Sequence, residues 1–133
     1  VLFSPGGIVQ ETGAANFILI EGGELITKPL DGSILPGVTR DCILALAADA
    51  GLKVSERDFT VAELLERAPH GEAALTGTAA VLTPVGELLH DGNCVKVGDG
   101  AMGPWSTRLR EQLCAIQTGA AEDKYGWRVP LNT

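Results

Sequence analysis

LPGVTRDCILALAADAG, residues 35–51, is the part of the sequence most informative about the architecture. Its apolar residues recur at i, i+3, i+4 and i+7, the spacing of one buried helical stripe: Ile43, Leu46, Ala47 and Ala50. This spacing predicts a helix from about Val38 to Ala50. Asp41 lies in the first turn, where the helix dipole favours an acid, and Gly51 is a natural end.

The first six residues of this stretch, 35–40, suit an anion. The first N–H groups of a helix have no partner inside the helix, and the helix dipole adds about half a positive charge there. Gly37 lets a bulky group approach the backbone and Thr39 offers a hydroxyl, so a phosphate would fit. A glycine-capped helix with nothing bound has the same spacing and is the more frequent case, so the pattern alone leaves both interpretations open.

The rest of the sequence alternates strand patterns with turns and two more helices. The strand patterns cover 8–11, 17–20, 24–27, 53–58, 72–75, 79–89 and 95–97. The further helices are predicted over 61–68, with Thr60 as cap, and over 104–118, with Pro104 in the first turn. The predicted fold class is mixed α/β, in one domain over residues 1–133, with strands outnumbering helices.

Composition excludes several classes of protein. The chain has 133 residues, 45% of them hydrophobic, which suits one domain that needs no disulfides to build its core. The net charge of −7 argues against a nucleic-acid or anionic-membrane surface, because both would repel it. Since no apolar run approaches ~18 residues, we expect no membrane span.

Cysteine usage and the start of the chain add two expectations. Cys42, Cys94 and Cys114 are odd in number and show no close pairing, which predicts free thiols in a reducing, cytoplasmic compartment. The chain starts at Val1 and its only methionine is Met102, so we expect part of a longer translation product. No basic stretch followed by an apolar core indicates a signal peptide.

Two other segments offer groups for the same chemistry. Residues 76–80, TGTAA, place Gly77 between two threonines, which gives either an anion-binding nest or a simple turn. Glu11 ends a predicted strand and is either a solvated surface acid or a partner for a cationic ring nitrogen. His70 and His90 have no metal-ligand spacing, and neither a Ser-His-Asp arrangement nor a nucleotide-binding glycine loop is present. Two anion-friendly turns and a carboxylate suit a phosphorylated cofactor with a heteroaromatic ring.

The same segments resemble a known family. ETGAANF at 11–17, LPGVTR at 35–40 and GTAA at 77–80 closely resemble the fold-type IV, pyridoxal-phosphate-dependent aminotransferases. IQTG at 116–119 and EDKYGW at 122–127 resemble the branched-chain amino acid branch of that family. The resemblance covers nearly the whole chain in register. It implies the larger C-terminal domain of that architecture, a strand-rich pseudo-barrel with flanking helices.

The resemblance implies roles around pyridoxal 5'-phosphate. Glu11 matches the glutamate that pairs with the pyridine nitrogen and keeps it protonated, so that the ring acts as an electron sink. Asn16 matches a residue near the phenolic oxygen that acts through a tyrosine. Val38 and Thr39, after Gly37, match the pair whose N–H groups, with the Thr39 hydroxyl, hold the phosphate.

The turn after residue 77 resembles a second part of that site. Thr78 matches a further phosphate contact, and Thr78 with Ala79 resembles the turn that offers N–H groups to the substrate carboxylate. Arg40 is expected to be structural, supporting the helix start by ion pairing. Some relatives carry a Cys-x-x-Cys redox pair where this sequence has Ala80 and Thr83, so no thiol switch is predicted.

The largest departure from the family is the lysine that forms a Schiff base with the cofactor. In the family it lies upstream of the glutamate, beside Gly-Asn-Tyr. The lysines of this sequence do not match that context: Lys28, Lys53, Lys96 and Lys124. We therefore expect no catalytic residue in this chain, and expect the lysine-bearing N-terminal part to lie outside it.

The resemblance implies amino-group transfer between leucine, isoleucine or valine and 2-oxoglutarate, in a homodimer that binds small molecules, without nucleic acid, membrane or metal. The 133 residues alone are expected to be inactive. Two alternatives stay open. One is another fold-type IV enzyme, a D-amino-acid aminotransferase or aminodeoxychorismate lyase, and the other is a truncated, non-catalytic binding module.

Overall fold

The computed structural model describes residue 1 and residues 3–132, so that Leu2 and Thr133 lie outside the described part. Seven strands are present: β1 (Asn16–Glu21), β2 (Glu24–Thr27), β3 (Lys53–Glu56), β4 (Glu72–Gly77), β5 (Val81–Val85), β6 (Glu87–His90) and β7 (Asn93–Lys96). The helices are α1 (Val38–Asp49), α2 (Val61–Arg67) and α3 (Pro104–Thr118), with a 3-10 turn over Ala68–His70. The mixed α/β class and the three predicted helices are therefore confirmed.

The strands form a five-stranded sheet in the order β3-β2-β1-β4-β5 and a separate two-stranded sheet, β6-β7. All neighbours in the large sheet are antiparallel except β2 and β3, which α1 connects. The two predicted hairpins, β1-β2 and β6-β7, are confirmed. The predicted strand over 79–89 instead divides at Gly86 into β5 and β6, which belong to different sheets.

The large sheet is covered on both faces, which explains why β1 is apolar at consecutive positions. Side chains alternate across a strand. Ile18 and Ile20 accordingly pack with α1 and α3, whereas Phe17 and Leu19 pack with α2 and the β6-β7 hairpin. A strand buried on both faces shows no polar alternation. The domain is thus a central sheet between two apolar layers.

The segment before β1 differs from its prediction. The sequence pattern predicts a strand over residues 8–11, but they make only isolated bridges, from Ile8 to Thr60 and from Glu11 to Asn16. A turn at Pro5–Gly6 precedes them and a turn over 12–15 follows, which leaves no length for a ladder. Glu11 therefore folds back beside the start of β1.

The helices also show where sequence patterns stop being informative. The helix predicted over 61–68 ends at Arg67, and its last turn tightens into the 3-10 turn that contains Pro69. The cap is as predicted, since the Thr60 hydroxyl accepts from the Glu63 N–H at 3.1 Å. Within the described residues, no helix has the length and apolar character that crossing a membrane requires.

Two buried cations fasten the loop that leads into α1. Lys28 is 3% exposed, and its ammonium pairs with Asp31 and, at 2.7 Å, with Asp58. Arg40 is 1% exposed and donates to the Lys28 carbonyl at 2.9 Å and to the Glu56 carboxylate at 2.6 Å. The predicted ion pairing of Arg40 is present, and it ties the start of α1 to the edge of the sheet.

Candidate functional site

Three segments distant in sequence meet in one cleft of about 600 Å³ at an edge of the large sheet. They are residues 11–16 before and at the start of β1, residues 35–39 at the start of α1, and residues 76–78 at the end of β4. Six of the predicted site residues line this cleft: Glu11, Asn16, Gly37, Val38, Thr39 and Thr78. Ala79 is exposed in the turn that follows Thr78 and is not among the lining residues described.

The Glu11 carboxylate is held by a network that the sequence does not reveal. The amide nitrogen of Asn16, Nδ2, donates to Glu11 Oε2 at 2.8 Å and to the Leu35 carbonyl at 2.9 Å. The Leu35 N–H donates to Glu11 Oε1 at 3.2 Å and to Oε2 at 3.3 Å. The carboxylate is therefore fixed between β1 and the loop before α1, with further lone pairs available to a donor.

Gly37 has a different reason to be glycine from the one its sequence context suggests. A Cβ added there would lie 2.2 Å from Oδ1 of Asn16. The space that glycine leaves is thus taken by the Asn16 side chain, which is 4% exposed. The pair fits together only because residue 37 has no side chain.

The start of α1 presents free backbone donors to the cleft. The residue before the helix, Gly37, has no side chain to cap it. Among the described residues, the first helical N–H with a backbone acceptor is that of Asp41, which donates to the Gly37 carbonyl at 3.1 Å. The N–H groups of Val38 and Thr39 are therefore left to solvent or to a ligand. Val38 is 79% exposed, so access to this end is open.

The opposite wall of the cleft is a tight turn built around Thr12. Its hydroxyl accepts from the Ala15 N–H at 2.9 Å and donates to the Ala15 carbonyl at 3.0 Å. The Thr12 N–H donates to the same carbonyl at 2.9 Å. The threonine thus consolidates the turn that returns the chain from Glu11 to Asn16.

Thr76 is a lining residue whose importance the sequence did not single out. It stands opposite Asn16 in the register of β4 and β1, and it is 1% exposed. Its hydroxyl has no hydrogen-bond partner among the described residues. A buried hydroxyl without a partner is costly, which marks this position as unusual.

Charge in the cleft comes from one side chain. Glu11 is the only charged residue among the described lining residues, and Arg40 points away toward Glu56. A cleft of this kind holds an anion through N–H groups and hydroxyls rather than through net charge. Within the described part of the chain, no group of three or more His, Cys, Asp or Glu side chains could hold a metal ion.

None of the described lining residues is a lysine. Lys28, the most buried, is held in its charged form, because hydrogen bonds to Asp31 and Asp58 raise its pKa above the ordinary value. Schiff-base formation needs a neutral amine, so Lys28 is unsuited to it. Lys53 and Lys124 are exposed and paired with Glu24 and Asp49 respectively.

The cleft therefore combines two kinds of recognition. The start of α1, with the hydroxyls of Thr39 and Thr78, can bind a phosphate, while the Glu11 carboxylate can accept a hydrogen bond from a cationic ring. A ligand that carries both groups on one scaffold would use both ends at once.

Comparison with known proteins agrees with this chemistry. Residues 1–88 match the amino-transferase class IV family. A probable branched-chain-amino-acid aminotransferase from Staphylococcus epidermidis is 40% identical over 126 residues, covering 92% of this chain and 35% of that protein. The chain thus spans about a third of the length of the curated relatives it matches.

Solved structures give the same result. The branched-chain amino acid aminotransferase from Escherichia coli aligns with a TM-score of 0.80 at 35% identity, covering 93% of this chain and 40% of that one. A second branched-chain amino acid aminotransferase, from the source abbreviated T.th. and complexed with N-(5'-phosphopyridoxyl)-L-glutamate, aligns with a TM-score of 0.81 at 31% identity, covering 95% of this chain and 40% of that one.

Proposed function

Because the chain belongs to the class IV amino-transferase family, we propose that it is the cofactor-binding domain of a branched-chain amino acid aminotransferase. The proposed reaction moves an amino group between leucine, isoleucine or valine and 2-oxoglutarate. The observation that carries the proposal is the meeting, in one cleft, of the Glu11 carboxylate and the uncapped start of α1.

The residues present fit pyridoxal 5'-phosphate. The free N–H groups of Val38 and Thr39 and the hydroxyls of Thr39 and Thr78 are the donors that a phosphate requires. Glu11, already fixed by two partners, is the acceptor that a protonated ring nitrogen requires. The phosphopyridoxyl group in the complexed relative supports the assignment.

Each residue then has a task that its surroundings explain. When bound, pyridoxal 5'-phosphate supplies an electron sink at the carbon that exchanges its amino group. Glu11 holds a proton on the ring nitrogen by charge-assisted hydrogen bonding. The N–H groups of the turn at Thr78 and Ala79 orient the substrate carboxylate, since this turn adjoins the cleft.

We place the Schiff-base lysine outside these 133 residues, in a preceding domain of the parent protein. Its absence from the described lining of the cleft supports this placement. The parent is proposed to act in the cytoplasm as a homodimer, with small amino acids and 2-oxo acids as its substrates.

A substrate panel tests the proposed function. The parent protein, expressed with pyridoxal phosphate and supplied with 2-oxoglutarate, should convert leucine, isoleucine and valine. Exclusive activity on D-alanine, or release of aminobenzoate from aminodeoxychorismate, would instead assign another enzyme of the same fold. Failure to bind pyridoxal phosphate would support a non-catalytic module.

The 133-residue chain provides the matching negative control. It should give no steady turnover with any of these substrates, because no lysine amine that could form the Schiff base is among the described lining residues of its cleft. Turnover by the purified chain would contradict the placement of the lysine in a preceding domain.

A further inference from the structure

We infer that Asn16 is a positioning residue that holds the Glu11 carboxylate in place to meet the ring nitrogen of the cofactor. The inference rests on the proposed function and goes beyond it, because it gives Asn16 a partner within this chain. That partner is the ring-nitrogen carboxylate rather than the phenolic side of the ring.

The first step is the use of the Asn16 amide. Its nitrogen carries two hydrogens, and two acceptors lie within hydrogen-bond distance, Glu11 Oε2 at 2.8 Å and the Leu35 carbonyl at 2.9 Å. Both donors are therefore occupied inside this chain. Only Oδ1 remains for another partner, and it lies against Gly37.

The second step is that the amide has one possible orientation. Exchanging Nδ2 and Oδ1 would place the amide oxygen against a carboxylate oxygen and a carbonyl oxygen at the same time, which is repulsive. The side chain is also 4% exposed, so water does not offer it an alternative partner. Asn16 is thus committed to Glu11 by its chemistry as well as by its packing.

The third step is that Asn16 connects the two ends of the cleft. Through the Leu35 carbonyl it is bonded to the loop before α1, and its Oδ1 fits against Gly37 at the helix start. Through Glu11 it reaches the site of the ring nitrogen. The distance between the phosphate end and the carboxylate end is therefore fixed by one buried side chain, as preorganisation of a site requires.

The test uses the parent protein loaded with pyridoxal phosphate labelled with ¹⁵N in the ring, because the ¹⁵N chemical shift reports protonation of that nitrogen. The wild-type signal should be that of a protonated nitrogen, and Glu11→Gln should move it toward the unprotonated value. Asn16→Ala should move it in the same direction and weaken cofactor binding about 10-fold, since it removes one charge-assisted hydrogen bond. Asn16→Asp, equal in size but unable to donate, should do more.

Gly37→Ala tests the same contact from the other side. The new Cβ would displace Asn16 without removing it, so the ¹⁵N signal should move as in Asn16→Ala. Gly13→Ala is the matched control, because Gly13 lines the same cleft with open space at its Cβ position. Gly37→Ala also keeps the inference testable if Asn16→Ala does not fold.

Thr27→Val controls for lost stability alone. It removes a buried hydrogen bond to the Phe17 carbonyl, away from the cleft, and should lower stability while leaving the ¹⁵N signal unchanged. If the Asn16 and Gly37 variants also keep the wild-type signal while Glu11→Gln moves it, Asn16 is merely structural and the inference is wrong. If the wild-type protein neither binds the cofactor nor protonates its nitrogen, the proposed function itself fails.

Discussion

Thr27 and Thr76 differ in one respect at the scale of single atoms. Both are strand residues that are 1% exposed, and both are β-branched, so their strand propensities are equal. The Thr27 hydroxyl donates to the Phe17 carbonyl at 2.9 Å, whereas the Thr76 hydroxyl has no partner among the described residues. The two sites therefore compare a satisfied buried hydroxyl with an unsatisfied one.

We expect Thr76→Val to leave the free energy of unfolding unchanged or to raise it by up to about 1 kcal/mol. Valine has the same shape and removes a hydroxyl that is buried without a partner. Thr27→Val should lower the same quantity by about 1 kcal/mol, because a formed hydrogen bond is lost. Urea unfolding of the cofactor-free protein measures both values.

A loss at Thr76 as large as the loss at Thr27 would contradict this expectation. It would mean that the Thr76 hydroxyl bonds an ordered water in solution. The comparison thus also determines whether the floor of the cleft is dry before a ligand enters.

At the scale of elements, α3 is capped by a strand residue 33 positions earlier in the sequence. Glu72, the first residue of β4, accepts from the Trp105 N–H at 3.0 Å and from the Ser106 N–H at 2.8 Å. A Cβ at Gly103 would lie 2.2 Å from this carboxylate, so Gly103 leaves room for the cap. A carboxylate at a helix start satisfies orphan donors and complements the helix dipole.

Glu72→Ala should lower the free energy of unfolding by about 1–2 kcal/mol, the usual cost of losing a helix cap of this kind. Faster hydrogen exchange at the Trp105 and Ser106 amides should accompany the loss, because these N–H groups would open to water. Glu66→Ala, at an exposed position of α2, is the control and should change neither quantity. Unaltered exchange at both amides in Glu72→Ala would show that the cap adds no stability.

These elements show which features the sequence could predict. The apolar stripe of α1 and the Gly22-Gly23 and Asp91-Gly92 turns are local patterns, and the structure has the helix and both hairpins. The cap of α3 by Glu72 depends on tertiary packing, and no local pattern indicates it. The division of 79–89 at Gly86 was missed because two short strands in different sheets have the same alternation as one long strand.

The candidate site divides in the same way. Resemblance brought Glu11, Asn16 and Thr78 forward, and the structure places all three around one cleft. The sequence could not show that Asn16 bonds Glu11, or that the Leu35 N–H supports it from 24 positions away. A backbone N–H carries no residue-type signal, so such contacts are found only from coordinates.

At the scale of the whole molecule, a net charge of −7 coexists with two deeply buried cations. Lys28 and Arg40 join the loop over 29–37 to the sheet and to the segment before α2. Because the loop carries one wall of the cleft, the geometry of the site depends on these pairs. The stability of the whole domain should therefore respond to the ionisation of the Lys28 cluster, defined as Lys28, Asp31 and Asp58.

Lys28→Met should lower the free energy of unfolding by about 1–2 kcal/mol near neutral pH. This is more than an exposed pair contributes and less than a fully buried one, because the carboxylate partners stay about half-exposed. The Lys28 pKa is raised from 10.5 by Asp31 and Asp58, so its contribution is complete below pH 10.5 and is lost as the pH rises further. The Asp31 pKa is lowered from 3.8, chiefly by its hydrogen bond to Lys28, so its contribution is complete above pH 3.8 and is lost in acid.

The difference between wild type and Lys28→Met should then be constant from about pH 5 to 9 and narrow on both sides. Urea unfolding at several pH values measures it. Lys53→Met is the control, since Lys53 is 76% exposed at a 3.4 Å pair and should show almost no difference at any pH. A Lys28→Met difference that persists unchanged below about pH 3, where the Asp31 contribution should be fading, would show that packing of the lysine stem, rather than its charge, holds the loop.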